Sequence, residues 1–137
     1  GPFTVSGGQI NIDTAVAEAV IGLTYRARFK SSKLSYAAAG GTALLQRKRV
    51  AQLGLLMRNV HQSGIKYGTD FDYLDDLPGE FKGEIVDANT IHSEYDIDLM
   101  EVNGSWGTDE RICLEANAPK PCTVLGVVLA IQTNDKA

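Results

Sequence analysis

The clearest pattern of apolar and polar positions lies in residues 21–33, where the two kinds of side chain alternate. The apolar face carries Leu23, Tyr25, Ala27 and Phe29, and the polar face carries Thr24, Arg26, Arg28 and Lys30. This period of two predicts a strand whose apolar face lies in the core and whose basic face lies in solvent. The same alternation in residues 9–13 predicts a shorter strand, whereas Ala and Glu in residues 15–20 favour a helix.

Residues 42–61 fit two patterns and are the hardest part of the chain to interpret. The segment is rich in Ala, Leu, Gln, Arg and Lys, which are good helix formers. The apolar residues that can share one helical face are Leu44, Leu45, Val50, Leu53, Met57 and Val60. With a period of two, the apolar residues that share a face are Ala51, Leu53, Leu55 and Met57. The pattern alone favours a helix, and a strand is the alternative.

Short strands separated by turns are predicted for the rest of the chain. The segments that favour strands are residues 65–67, 84–86, 96–102 and 111–115. Residues 124–131 are apolar on both faces, which is typical of a central buried strand. Asn103-Gly104 predicts a hairpin, the prolines of residues 117–121 predict a turn, and the acidic residues 69–83 are typical of a loop. We therefore predict an all-β fold, a β-sandwich or partial barrel with long loops and at most one short helix.

Length and composition fit one domain. The chain has 137 residues, enough to bury a core, and its apolar share of 44% is ordinary for a globular protein. Gly1-Pro2 resembles the remnant of a cleaved tag, so we treat residues 3–137 as a single β domain, expected to be a fragment of a longer protein. The net charge of -4 excludes a general nucleic-acid binder of the basic-patch kind. Without a signal peptide or an apolar run near the roughly 20 residues of a membrane helix, we expect synthesis in the cytoplasm and no membrane insertion.

The residues that carry chemistry do not form a recognisable catalytic or metal-binding pattern. His61 and His92 lack a second His or Cys at ligand spacing, so both are predicted to lie at the surface. Residues 70–76 lack the glycine and the final glutamate of a calcium loop and are predicted to form a solvated loop. Cys113 and Cys122 are predicted to be small core side chains, with a disulfide as the weaker alternative. We therefore predict no enzymatic activity, no cofactor and no metal.

Positive charge is concentrated in two segments. The basic residues are Arg26, Arg28, Lys30, Lys33, Arg47, Lys48 and Arg49. They would contact a DNA backbone or, more simply, lie at a strand edge that faces solvent or another subunit. We hypothesise that Arg47, Lys48 and Arg49 of one copy meet Asp75 and Asp76 of a neighbouring copy.

Five segments of the chain carry a resemblance to a known family. They are residues 22–25, residues 47–49 before a Leu-rich segment, residues 64–70 with 76–78, residues 106–115 and residues 119–125. In this order they resemble the C-terminal part of the tail nozzle (tail tubular protein B) family of short-tailed bacteriophages. The chain departs from the family pattern at Thr24, where proline is expected, and at Cys122, where an aromatic or apolar residue is expected. The resemblance favours a strand, rather than a helix, from Arg49 onward.

The resemblance implies a structural protein of the virion tail. Such proteins form a homohexameric ring below the portal and adaptor, and the ring retains packaged DNA and conducts it during ejection. The implied partners are other copies of the chain, portal-adaptor and tail fibre proteins, and DNA that passes through without sequence-specific binding. No enzymatic site is implied. The alternatives are a virion-attached domain that binds or cleaves glycans and a domain that binds a host factor.

Overall fold

The chain folds almost entirely into strands, which confirms the predicted all-β class. The computed structural model describes residues 3–35, 37–38, 41–96 and 99–133. One 3-10 helix, Ala43–Leu45, lies in this part of the chain. The strands are β1 (Tyr25–Lys30), β2 (Ala37–Ala38), β3 (Gly41–Thr42), β4 (Lys48–His61), β5 (Ile65–Gly68), β6 (Asp75–Asp76), β7 (Glu80–Phe81), β8 (Glu84–Ile85), β9 (Ile91–Tyr95), β10 (Met100–Glu101), β11 (Cys113–Ala118) and β12 (Thr123–Thr133).

Two antiparallel sheets form the body of the domain. The first sheet has the strand order β1-β11-β5-β6. The second sheet is built on β4, which pairs with β12 along one side and with β9 and β10 along the other. Two short hairpins, β2-β3 and β7-β8, lie outside these sheets. Neither sheet closes on itself, so the architecture fits a sandwich or a partial barrel.

One hydrophobic core joins the two sheets. β4 contributes its most buried side chains, and β5, β9, β10 and β11 add theirs from both sheets. The core residues are Val50, Leu53, Leu55, Met57, Val60, Ile65, Tyr67, Leu77, Tyr95, Met100, Val102, Ile112 and Leu114. The core therefore lies where the apolar faces of the two sheets meet.

The long β4 settles the two interpretations of residues 42–61. The helix favoured by the pattern is wrong, and the strand expected from the resemblance is confirmed, beginning at Lys48. Leu53, Leu55 and Met57 point into the core, while Leu56 between them is exposed. Pairing on both sides of β4 supplies the long-range hydrogen bonds that outweigh the helix propensity of its residues.

Three local predictions in the first half of the chain are wrong. Residues 9–13 form no strand, since Gln9 makes only an isolated bridge to Ser6 around a glycine turn. Residues 15–20 form no helix. β1 is a strand as predicted, but all six of its residues are exposed, and β11 is its one partner among the described strands.

The second half follows the sequence prediction more closely. β5, β8 and β11 lie within or near the predicted strands, and residues 119–120 form the predicted turn. Asn103-Gly104 forms no hairpin, since no described strand follows until β11. Of the predicted strand 96–102 only β10 is found; residues 97 and 98 lie outside the described part. The sequence pattern does not predict β9, and His92 within it is expected at the surface, whereas its side chain is buried.

Candidate interaction surface

β12 forms an outer edge of the second sheet. It pairs with β4 over almost its whole length, and no described strand pairs with its other side. None of its residues is fully buried, although Val127 and Leu129 pack against the core. The predicted central position of this strand is therefore wrong. The strand thus has the apolar composition of a central strand, yet no described strand pairs with its outer edge, and Leu125 and Val128 are exposed.

An exposed apolar patch continues from β12 across the outer face of the second sheet. We call Leu56, Leu99, Leu125 and Val128 the outer patch. Their exposed fractions are 44% for Leu56, 40% for Leu99, 62% for Leu125 and 52% for Val128. Two glycines lie between these side chains. A Cβ on Gly54 would lie 3.0 Å from Leu99 Cδ2 and 3.6 Å from Val128 Cβ, and a Cβ on Gly126 would lie 3.5 Å from Leu56 Cδ1. Continuous apolar surface of this kind is typical of an interaction site.

The segment before β1, residues 3–24, is a second exposed apolar feature. All of its residues are exposed, and Leu23 reaches 90%. Near its end, Gly22 lies against Pro119, where an added Cβ would come within 2.8 Å of the proline Cβ. Asp13 and Glu18 are the charged residues of the segment, and it has no basic residue.

The three consecutive basic residues at the start of β4 have different surroundings. Arg47 is exposed. The Lys48 side chain is buried, and its ammonium group donates hydrogen bonds to the carbonyl oxygens of Gln46 at 3.2 Å and Thr108 at 3.1 Å. Burial, with a smaller contribution from the charge of Lys33, lowers the pKa of Lys48. The structure thus places Lys48 inside its own chain, where its side chain is not available to a neighbouring subunit.

Arg49 lies beside β12. Its guanidinium group donates a hydrogen bond of 2.7 Å to Gln132 Oε1 and lies over the Trp106 ring at 5.5 Å from the ring centroid. Of the predicted basic contact set, Arg47 therefore remains an exposed cation, while Arg49 helps to hold the end of β12 against β4. An inter-subunit role for these residues stays a prediction.

The acidic half of the predicted contact lies at the other end of β4. Asp75 and Asp76 form β6, which pairs with β5 in the first sheet. Asp76 Oδ1 lies 3.7 Å from Lys66 Nζ, and the side chain of Asp76 is largely exposed while that of Lys66 is partly exposed. The β4 residues 48–61 span roughly 40 Å when straight, and β5 begins only four residues after His61. The basic and acidic groups are therefore not brought together within one chain.

The two histidines are buried, which contradicts the prediction that they lie at the surface. His92 Nε2 is 2.8 Å from Gln62 Oε1, and the Gln62 amide donates a hydrogen bond of 2.8 Å to the Pro78 carbonyl. The His92 ring also packs on Phe81 and Tyr95, with ring centroids 4.9 Å and 5.2 Å away. Burial lowers the pKa of both histidines. This cluster fastens the loop that contains β7 to the end of β4.

The two cysteines have structural rather than reactive positions. Cys113 is buried and Cys122 is partly buried against the core, as predicted, and both thiols are free. Burial raises the pKa of each thiol, which keeps it protonated.

Within residues 3–35, 37–38, 41–96 and 99–133, no three side chains of His, Cys, Asp or Glu gather as metal ligands would. The same part of the chain holds no helix long and apolar enough to cross a membrane.

Two of the exposed aromatic residues lie far apart along the first sheet. Tyr25 begins β1 and pairs with Ala118, at one end of the first sheet. The backbone of Tyr73 lies against Gly68, which pairs with Cys113 near the other end of the same sheet. The apolar edge and the outer patch of the second sheet are the candidate interaction surface.

Comparisons with known proteins do not identify a family. No protein-family model matches the chain, and no curated protein sequence matches it.

Proposed function

We propose that this chain is a structural subunit of a phage tail nozzle, in which copies of the chain form a ring that retains packaged DNA and conducts it during ejection. The observation that carries the proposal is the uncovered apolar surface of β12 and the outer patch. A strand that is apolar on both faces is covered on both sides in most sheets. A neighbouring subunit would provide the missing cover.

The distribution of charge supports a ring of identical subunits. Exposed Arg47 lies at one end of β4, and Asp75 and Asp76 lie beyond the other end. Contacts between two different surfaces of the same protein are heterologous, and they close into a ring when the rotation between subunits permits it. Basic and acidic groups at opposite ends suit such a head-to-tail contact.

The net charge supports a conduit rather than a DNA-binding protein. The chain carries a net charge of -4, so its overall field repels the phosphate backbone. A weakly repelling wall lets DNA slide without being held. In this proposal the ring lies in the virion tail, next to portal-adaptor and tail fibre proteins, and the chain performs no catalysis.

Negative-stain electron microscopy of the whole gene product that contains this chain tests the proposal. We expect rings with a central channel, and we expect antibodies against this chain to label the tail of intact virions. A gene product that stays monomeric and binds or cleaves host polysaccharide would contradict the proposal and favour a glycan-directed tail domain. Glycan-array binding and polysaccharide turnover assays measure that outcome directly.

A further inference from the structure

We propose that residues 3–24 of one copy add as a strand to the edge of β12 in a second copy and cover Leu125 and Val128, the members of the outer patch that lie on β12. This inference rests on the proposed assembly function and names the contact that produces it. The partner is thus a second copy of this chain, and the mode of binding is strand addition at an exposed sheet edge.

The first argument is that the chain contains both a segment with a strand pattern and a strand edge that no described strand covers. Residues 9–13 alternate polar and apolar side chains as a strand does, yet Ile10 and Ile12 are exposed and the segment has no strand partner in the structure. β12 pairs with β4 on one side, and no described strand pairs with its other side. Pairing the segment with this edge would satisfy backbone groups on both and would bury apolar side chains of both.

The second argument is charge complementarity. Asp13 and Glu18 are acidic, and residues 3–24 contain no basic residue. β12 itself has no charged residue, and each charged residue of β4 that pairs with it is basic. These basic residues are Lys48, Arg49 and Arg58. Lys48 is buried and Arg58 is paired with Glu94, which leaves Arg49, hydrogen-bonded to Gln132 of β12, as the positive charge nearest this edge. An acidic strand therefore meets a weakly positive edge, whereas a second β12 brings the same charge with it.

The third argument is the length of the segment compared with the distance that it has to cross. The contact between Gly22 and Pro119 holds the end of the segment near the start of β12. Beyond that point residues 3–21 span up to roughly 60 Å when extended. In the structure these residues stay exposed and do not pair with the β12 of their own chain. The segment is long enough to cross to the edge of a neighbouring subunit.

The geometry of this exchange suits a ring. The donated segment and the accepting edge are different surfaces, so each copy gives one contact and receives another. Direct pairing of one β12 with another would instead use the same surface twice and stop at a dimer. The proposed exchange therefore permits closed assemblies of more than two subunits.

Two complementary variants of the full 137-residue chain test the exchange. The double variant Ile10→Asp, Ile12→Asp blocks the donated segment, and Val128→Asp blocks the accepting edge. All three positions are exposed in the single chain, so circular dichroism should show an unchanged fold. We expect wild-type chain to associate in sedimentation velocity runs, and we expect each variant alone to associate at least about 30-fold more weakly, because a charge enters an apolar contact.

Mixing the two variants gives the decisive result. The segment of Val128→Asp is intact and the edge of the Ile10→Asp, Ile12→Asp variant is intact, so we expect a one-to-one complex in the mixture. Ile85→Asp is the control, since it adds one charge outside the proposed contact, and it should associate like wild type. Ile85 is 94% exposed in the β7-β8 hairpin.

Several outcomes would overturn the exchange. Wild-type chain that stays monomeric, or a mixture that stays monomeric, rules out the donation of the segment to a second copy. Full association of the Ile10→Asp, Ile12→Asp variant alone would show that β12 edges pair directly. Rings of the whole gene product together with either result would leave the proposed nozzle function standing on a different contact.

Discussion

β4 and β12 lie side by side in one sheet and have similar apolar content, yet they differ in burial. β4 has strands on both sides and the core on one face, and Val50, Leu53 and Val60 are fully buried. No described strand pairs with the outer side of β12, and Leu125 and Val128 are exposed. An apolar sequence therefore indicates that both faces of a strand need to be buried, but it does not show whether the same chain or another molecule buries them.

The largest expected effect contrasts the same substitution in the two strands. Leu53→Ala in β4 should lower the free energy of unfolding by about 2–5 kcal/mol, because it leaves a cavity in the core. Leu125→Ala in β12 is the matched control and should change it by less than about 0.5 kcal/mol in the monomer. Urea denaturation at low protein concentration measures both. Equal losses would mean that β12 is already buried in the single chain.

A second comparison concerns neighbouring basic residues at the start of β4. Lys48→Met should destabilise the domain by about 1–3 kcal/mol, because the carbonyl oxygens of Gln46 and Thr108 lose a partly buried hydrogen-bond donor. Arg47→Met removes the same charge from an exposed side chain and should stay within about 0.5 kcal/mol of wild type. Thermal and urea unfolding compare the two variants. If Lys48→Met leaves the free energy of unfolding unchanged, the ammonium group is not needed inside the chain.

The other end of β4 should make stability depend on pH. Burial lowers the pKa of His61 and His92 below the value of about 6.5 that a histidine has in the unfolded chain. Below about pH 6.5 the unfolded state therefore binds more protons, and the free energy of unfolding should fall as the pH falls further toward the lowered pKa values. Above that window the contribution of the two neutral histidines is fully present. Urea denaturation at a series of pH values between about 7.5 and 5.5 measures it.

The double variant His61→Gln, His92→Gln is the control for this pH dependence. It keeps polar side chains at both positions and removes the groups that titrate in this window, so its stability curve should be flatter than that of wild type. A curve with the same slope in both proteins would assign the effect to other groups.

Local sequence patterns predicted where strands form better than they predicted what surrounds each strand in the fold. The alternation in residues 21–33 correctly indicated a strand in β1, but it could not show that β1 lies at an edge with both faces exposed. The helical spacing of residues 42–61 was misleading, because only pairing with β9 and β12, which are distant in sequence, makes β4 a strand. The exposed edge of β12 could not be predicted for the same reason, because whether a strand lies at an edge depends on the whole sheet. The buried His92 was missed because its partner Gln62 lies 30 residues away.

The smallest expected effect concerns the charges at the two ends of β4. Arg47→Glu should weaken association of the chain by up to about fivefold at low salt, since exposed ion pairs contribute little and are screened. Asp76→Lys in the same chain should restore part of the loss if Arg47 faces the acidic strand β6 of a neighbour. Lys82→Glu makes the same charge change at an exposed residue of the β7-β8 hairpin and should have no effect. Sedimentation velocity at two salt concentrations measures all three. Equal weakening by Arg47→Glu and Lys82→Glu, with no rescue by Asp76→Lys, would show that only net charge matters and that the head-to-tail contact lies elsewhere.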